Sequence, residues 1–260
     1  MFINNFDPVA FQILSFEIRW YSLAYIAGIV IGWILCKKIF IKNSNINEKF
    51  DDYISYLIVG VVIGGRFGYI IFYNFNYYIN NVLDIFKIWE GGMSFHGGLI
   101  GVIISSIIFA KQNRQDSFLY MDLVSMVAPI GIFFGRLANF INSELYGVST
   151  EVSWAVTFIR IDNIPRHPSQ LYEAILEGII LFLILLYFRK KNYLTKPGLI
   201  SAVFLIFYSI FRFIVEFFRT PDEQLSYLIF DLTMGQIISL ISILIGIILF
   251  YFKNENKQIN

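Results

Sequence analysis

The chain is poor in cysteine, histidine and charge, and each shortage excludes something. Cys36 is the one cysteine among 260 residues. An intramolecular disulfide and a cysteine-based metal centre are therefore excluded. Cys36 lies beside Lys37 and Lys38 near the end of an apolar run and reads as a small buried residue. There are two histidines, His96 and His167, and no metal-ligand spacing is visible around either, so neither a metal nor a cofactor is expected. Charged residues make up 15% of the chain, against about a quarter in a soluble domain. A net charge of +1 gives no global field that would draw in nucleic acid, and none is expected as a partner. The first twenty residues lack a basic stretch followed by a short apolar one, so no cleavable signal peptide is expected. Neither end carries a lipidation motif.

What the chain does have is apolar length. It is 57% hydrophobic, with a mean hydropathy of +0.65. A bilayer core takes about 20 mostly apolar residues per helix, and seven stretches approach this: 19–36, 53–73, 94–110, 120–141, 168–188, 198–218 and 230–252. No repeat or long polar linker separates them. The expected fold is an all-α polytopic integral membrane protein of seven transmembrane helices, forming a single membrane-embedded domain over 1–260. Basic residues set its orientation. Twelve fall in the connections after the first, third and fifth spans and in the tail (Lys257 among these), whereas Arg19, Lys87, Arg160, Arg166 and Arg219 fall on the opposite side. The positive-inside rule then puts the N-terminus outside and the C-terminus in the cytoplasm. The longest outside connection, about 143–167, is expected to form a small external cap. Within it Ser153-Trp154-Ala155-Val156-Thr157-Phe158-Ile159 alternates in part, as a short strand or hairpin would. The outside loop 74–93, rich in Tyr, Phe, Trp and Asn, reads as interfacial.

Polar groups inside the spans point to function, because ionisable side chains there are costly. His96 sits in Gly91-Gly92-Met93-Ser94-Phe95-His96-Gly97-Gly98-Leu99-Ile100-Gly101, at the mouth of the third span, where glycines admit close approach of backbone or ligand. Arg66 follows two glycines in the second span. Arg136 and Asn139 lie in the fourth, Glu173 and Glu177 in the fifth, and Arg212 and Glu216 in the sixth, four residues apart on one helical face. With the expected topology, Arg66, Arg136, Arg212, His96 and Glu173 all share the outer half of the membrane. The bland reading is a set of ion pairs joining helices, such as Arg212 with Glu216, or snorkelling arginines and an inert headgroup-level histidine. Against it, Arg66, Arg136 and Arg212 outnumber their nearest acids, since Glu173 and Glu216 cannot neutralise all three singly. An anionic ligand would balance them. Arginine suits a bidentate clamp on phosphate, and at that depth the obvious phosphate belongs to a lipid headgroup. His167 precedes Pro168, which fits the first turn of a helix, and reads equally as a cap of the fifth span.

These segments resemble the prolipoprotein diacylglyceryl transferase family. The matching stretches are Arg19-Trp20-Tyr21, Gly64-Gly65-Arg66-Phe67-Gly68-Tyr69, residues 91–101, 135–147 (the family's signature region), 166–173 and 208–222. They run from the first span to the sixth. Individually they are weak and together they are specific. The external arm at 148–165 looks shorter than in some members. The resemblance implies an enzyme of the bacterial cytoplasmic (inner) membrane that moves the diacylglyceryl group of phosphatidylglycerol onto the lipobox cysteine thiol of a prolipoprotein. A thioether forms and glycerol 1-phosphate leaves. By the same resemblance His96, Arg136 and Arg212 are the expected catalytic residues. Tyr21, Asn139, Glu144, Gly147, Tyr208 and Glu216 match other important positions, Arg66 and His167 are further substrate-binding candidates, and spacing does not decide between His96 and His167 as base. The nucleophile belongs to the substrate, which fits the absence of a catalytic Cys or Ser. Three other classes fit the sequence less well. A transporter of an anionic solute should show inverted repeats and polar groups at every depth, whereas only Asp122 and Asp231 are border cases here. A lipid-binding scaffold has no use for His96. An intramembrane protease needs a dyad, and Ser94 and His96 are badly spaced for one.

Overall fold

The computed structural model describes residues 2–220 and 232–255. Asp222, Asp231, Lys257 and the first two residues of the seventh expected span lie outside the described residues. The chain divides into two compact units, one of Met1–Cys36 and Asp122–Asn260, the other of Lys37–Met121.

Strand β1 (Phe2–Asn4) leads to a hairpin of β2 (Val9–Ile13) and β3 (Phe16–Arg19), which runs directly into helix α1 (Trp20–Leu35). There follow α2 (Ser44–Tyr73), α3 (Phe75–Asn80), α4 (Phe95–Gln112), α5 (Ser117–Asn142), β4 (Val156–Phe158), β5 (Pro165–Arg166), α6 (Ser169–Glu173), α7 (Leu181–Lys190), α8 (Leu199–Glu216) and α9 (Met234–Glu255). A π-helical stretch, Ala174–Ile180, joins α6 to α7, so that Ser169–Lys190 forms one span. Among the described residues, seven segments are long and apolar enough to cross a membrane, matching the seven expected. The second starts at Ser44, nine residues before its expected edge. Its polar first turns are helical because Asn43 caps them, its side chain accepting from the Asn45 and Ile46 amides at 3.0 and 3.4 Å.

In the unit 37–121, α2 and α4 pack on glycine. A Cβ at Gly101 would collide with the carbonyl oxygen of Gly60, and one at Gly68 would come within 2.7 Å of Gly97 Cα. Small residues let backbones approach closely where lipid offers no hydrophobic drive to associate. Farther along the same pair, the buried Tyr53 hydroxyl meets Ser106 at 2.7 Å. Ser94 caps α4, accepting from the Gly97 amide at 3.3 Å.

In the other unit, Asp122 is fully buried and caps the start of α8. It accepts from the Gly198 and Ser201 amides at 2.8 and 2.7 Å and from the Ser201 hydroxyl at 2.6 Å. A carboxylate there offsets the orphan amides and the positive end of the helix dipole. The alternating segment 153–159 supplies β4, which pairs parallel with β1 and antiparallel with β5. Asn4 donates to the Phe140 carbonyl at 2.7 Å, tying this small sheet to the end of α5.

The glycine contact yields a direct expectation. Gly101→Val should cost about 1–3 kcal/mol by overpacking and lower the thermal midpoint of the purified protein in detergent. An unchanged midpoint would mean that α2 and α4 do not depend on this approach.

Candidate active site

The site is built outward from Glu173. Pro168 starts the fifth span, and the first turns of α6 carry Ser169, Gln170 and Glu173 on their buried face. Glu173 is fully buried. Its Oε1 accepts from Arg212 Nη1 at 2.6 Å and from Arg219 Nη1 at 3.3 Å. Its Oε2 lies 3.0 Å from Arg136 Nε. Glu177, one turn on and equally buried, lies 3.7 Å from Arg136 Nη2. Arg212 Nη2 is 2.6 Å from Glu216 Oε2. The Arg136–Glu173 and Arg212–Glu216 contacts are ion pairs by charge and distance, without the angles of a hydrogen bond at those carboxylate oxygens.

Among the described residues, Arg136, Arg212 and Arg219 thus face Glu173, Glu177 and Glu216, a formally neutral set. The expected excess of cations over acids does not hold among these residues. Glu177 follows Glu173 into the same interior, and Arg66 belongs to the other unit. Exposure still separates the signs. The side chains of Arg136 and Arg212 keep 18% and 15% of their surface, while Glu173 and Glu177 keep none. The cations form the accessible layer and the acids back them. Each guanidinium has five N–H donors in a fixed fork, so donors remain beyond those given to the carboxylates.

The expected neighbours divide into those that flank the arginines and those that frame them. Tyr21 and Tyr208 lie within electrostatic range of Arg136, and the Tyr208 ring stacks on Phe204 at 5.5 Å. Asn139 donates to Glu144 Oε2 at 2.9 Å, and Asn142 donates to Oε1 at 3.2 Å. The Glu144 amide returns to the Asn139 carbonyl at 2.9 Å, and the buried Gln170 holds the Glu144 carbonyl at 2.6 Å. This knot ends α5 at Asn142, six residues past Arg136. Gly147 carries the next crossing. Its amide donates to the His167 carbonyl at 3.0 Å, the Val148 amide donates to the Phe218 carbonyl at 3.0 Å, and Gly147 bridges Arg219. A Cβ at Gly147 would collide with the carbonyl oxygens of both His167 and Phe218. His167 is half-buried, with Nδ1 3.0 Å from the Tyr172 hydroxyl, which also accepts from Trp154 Nε1 at 2.8 Å. Burial pushes the His167 ring below the usual histidine range.

The unit 37–121 holds the other two candidates. His96 is exposed in the first turn of α4, edge-on to Phe95 at 5.6 Å. Arg66 is buried, and the partners found for its guanidinium are backbone carbonyls. It donates through Nε to Ile85 at 2.9 Å, through Nη1 to Gly91 at 2.6 Å, and through Nη2 to Asp84 at 2.5 Å, with Tyr78 beneath it at 5.0 Å. It clamps the loop that leads into His96. The expected substrate-binding use of Arg66 therefore competes with a structural use of the same donors.

Sequence reading missed Glu173 as the hub, gave Glu177 no role and counted Arg219 only as an outside cation. A signal was present in two acids four residues apart within an apolar span.

Two outcomes follow. Glu173→Gln leaves three guanidiniums without their shared carboxylate, and breaking a buried pair costs about 3–5 kcal/mol, so the thermal midpoint in detergent should fall well below that of the wild type. A midpoint within error would show that the arginines do not depend on it. For His167, a lowered folded pKa means the folded protein binds the ring proton less readily than the unfolded chain. Its contribution to stability is complete above the unfolded value, about 6.5, and is lost as pH falls toward the folded value. The ring carbon resonances of a His96→Gln protein should titrate below that value, and titration at or above it would refute the assignment.

Comparison with known proteins identifies the family. A family model described as prolipoprotein diacylglyceryl transferase matches residues 8–252. A Rickettsia bellii protein named phosphatidylglycerol–prolipoprotein diacylglyceryl transferase is 47% identical over 262 residues, covering 100% of this chain and 99% of the relative. A Rickettsia typhi protein of the same name is 48% identical, covering 95% and 96%. One from Oleidesulfovibrio alaskensis, again of that name, is 48% identical, covering 97% and 95%. With seven helices among the described residues long and apolar enough to cross a membrane, a family model matching most of the chain and full-length relatives of one name, the chain is a multi-pass membrane protein that belongs to the prolipoprotein diacylglyceryl transferase family.

Proposed function

We propose that this protein transfers the diacylglyceryl group of phosphatidylglycerol to the lipobox cysteine thiol of prolipoproteins. The observation that carries the proposal is the pair of partly exposed guanidiniums, Arg136 and Arg212, backed by the buried Glu173. A thiolate attacks the glyceryl carbon, a carbon–sulfur bond forms, the carbon–oxygen bond to phosphate breaks, and glycerol 1-phosphate leaves with the bonding pair. Arg136 and Arg212 bind the phosphate and stabilise the charge it gains. His96 takes the thiol proton. Exposed His96 has an accessible ring for this transfer, where the His167 Nδ1 is engaged with Tyr172. Tyr21 and Tyr208 flank Arg136, Glu216 orients Arg212, and Asn139, Glu144 and Gly147 fix the end of α5 from which Arg136 projects. No metal or other cofactor enters this scheme.

The setting we infer is the bacterial cytoplasmic (inner) membrane, with the site in the outer half of the bilayer. The support is the bias of basic residues, which orients the N-terminus outside and the C-terminus in the cytoplasm. Phosphatidylglycerol would arrive within the outer leaflet, and the lipobox helix of a prolipoprotein would reach the same depth.

The test is mass spectrometry of a lipobox peptide incubated with purified protein and phosphatidylglycerol. A diacylglyceryl mass gain on the cysteine with release of glycerol 1-phosphate is expected. Arg136→Lys should lower turnover by about 100-fold or more, because a point charge loses the fork, and His96→Gln should retain lipid binding while losing thioether. No adduct from folded wild-type protein would reject the transferase, and wild-type turnover by His96→Gln would reject that residue as the base.

A further inference from the structure

We propose that the first turn of α9, through Thr233, Gly235 and Gln236, is the positioning element for Arg212, and that it acts by holding Glu216. The inference rests on the transferase reading given above, in which Arg212 binds the phosphate.

Glu216 stands at the last residue of α8. A carboxylate is unfavourable there, because the unpaired carbonyls of a helix C-terminus already present negative charge. Two partners offset this. Arg212, one turn back, takes Oε2 at 2.6 Å. The Thr233 hydroxyl donates to Oε1 at 2.9 Å. Thr233 is buried, as is Gln236. The two form a reciprocal cap at the start of α9. The Gln236 amide donates to Thr233 Oγ1 at 3.2 Å, and the Thr233 amide donates to Gln236 Oε1 at 3.0 Å.

The reciprocity fixes the direction of the Thr233 proton. A hydroxyl has one hydrogen to give. Thr233 Oγ1 is already an acceptor from Gln236, so its hydrogen is left for the carboxylate. The cap thus aims a donor at Glu216 and also turns the amide end of a 22-residue helix toward it. Gly235 lets the carboxylate come that close. A Cβ there would lie 2.6 Å from Glu216 Oε1 and 2.8 Å from its Cδ. Arg212 is therefore oriented through a chain of contacts, from α9 through Thr233 and Glu216 to the guanidinium.

Capping and positioning predict different things at Thr233, and three substitutions separate them. Serine keeps both the cap and the donated hydrogen. Aspartate keeps the cap, since it is a good N-cap acceptor, but it has no hydrogen to donate and sets a second charge beside Glu216. Valine keeps the shape and loses both. Turnover of lipobox peptide by the full-length protein in phosphatidylglycerol-containing micelles would be measured together with thermal midpoints. We expect Thr233→Ser to stay within about twofold of wild type. Thr233→Asp should lose about tenfold or more in kcat while its KM for peptide changes little, and its midpoint should fall as well, because a second buried carboxylate beside Glu216 is costly. In a Glu216→Gln background Thr233→Asp should add less than about twofold, since the path is already cut. Wild-type kcat from Thr233→Asp would reduce Thr233 to a helix cap and overturn the proposal. Full additivity with Glu216→Gln would overturn the route through Glu216. If wild-type protein transfers nothing, the transferase reading falls and this inference with it, an outcome distinct from either of the others.

Discussion

A single fully buried carboxylate, Glu173, governs the candidate site. Three guanidiniums from two segments of chain share its two oxygens, Arg136 from α5 and Arg212 and Arg219 from the end of α8 and the residues after it. Moving one such charge out of water costs several kcal/mol even after relaxation. A buried carboxylate with one partner would recover little of that, whereas one with three is held from several sides. The same sharing fixes each arginine. None can move without loosening the other two, which is the preorganisation a charge-stabilising site requires. The π-helical stretch begins at the residue after Glu173 and brings in Glu177, and such departures from α geometry are frequent at functional sites.

The segment 144–148 gives this cluster its frame. Gln170 holds the Glu144 carbonyl, Ser169 donates to Leu145 at 2.9 Å, Thr220 donates to Tyr146 at 3.2 Å, and Gly147 and Val148 reach His167 and Phe218. The bonds run both to the start of the fifth span and to the residues that follow α8. Those are the two places that supply Glu173 and Arg219. Among the described residues, Asn139 and Glu144 make no hydrogen bond or ion pair to the arginines of the cluster. They determine where α5 ends, and thereby where Arg136 projects. Their importance would follow from backbone placement alone.

Much of this was legible in the sequence, for identifiable reasons. The spans were readable because apolar length sets them, and the largest shift of an edge came where Asn43 caps polar turns ahead of the second span. The Arg212–Glu216 pair was readable because four residues is one helical turn. The role of Arg66 was not, because its partners are backbone carbonyls and any residue type supplies those. Glu173 as hub was not, because its three cations are 37, 39 and 46 positions away and their convergence depends on how the helices pack. Thr233 and Gln236 carry a readable capping-box pattern, Thr-x-x-Gln. The pattern announces a helix start and is silent about the carboxylate that the same hydroxyl also serves.

The neutrality of the cluster bears on catalysis. Three uncompensated arginines would bind any anion tightly, product included, and tight binding of the ground state does not lower the barrier. Here the acids behind the guanidiniums cancel most of that general attraction and leave directed N–H donors at the accessible face. In the proposed reaction the phosphate is a monoanionic diester at the start and a dianionic monoester at the end. A neutral but strongly polarised set of donors gains most from the charge that appears between those two states. Its selectivity is for the change in charge, and that is the property that distinguishes a transition-state site from an anion trap.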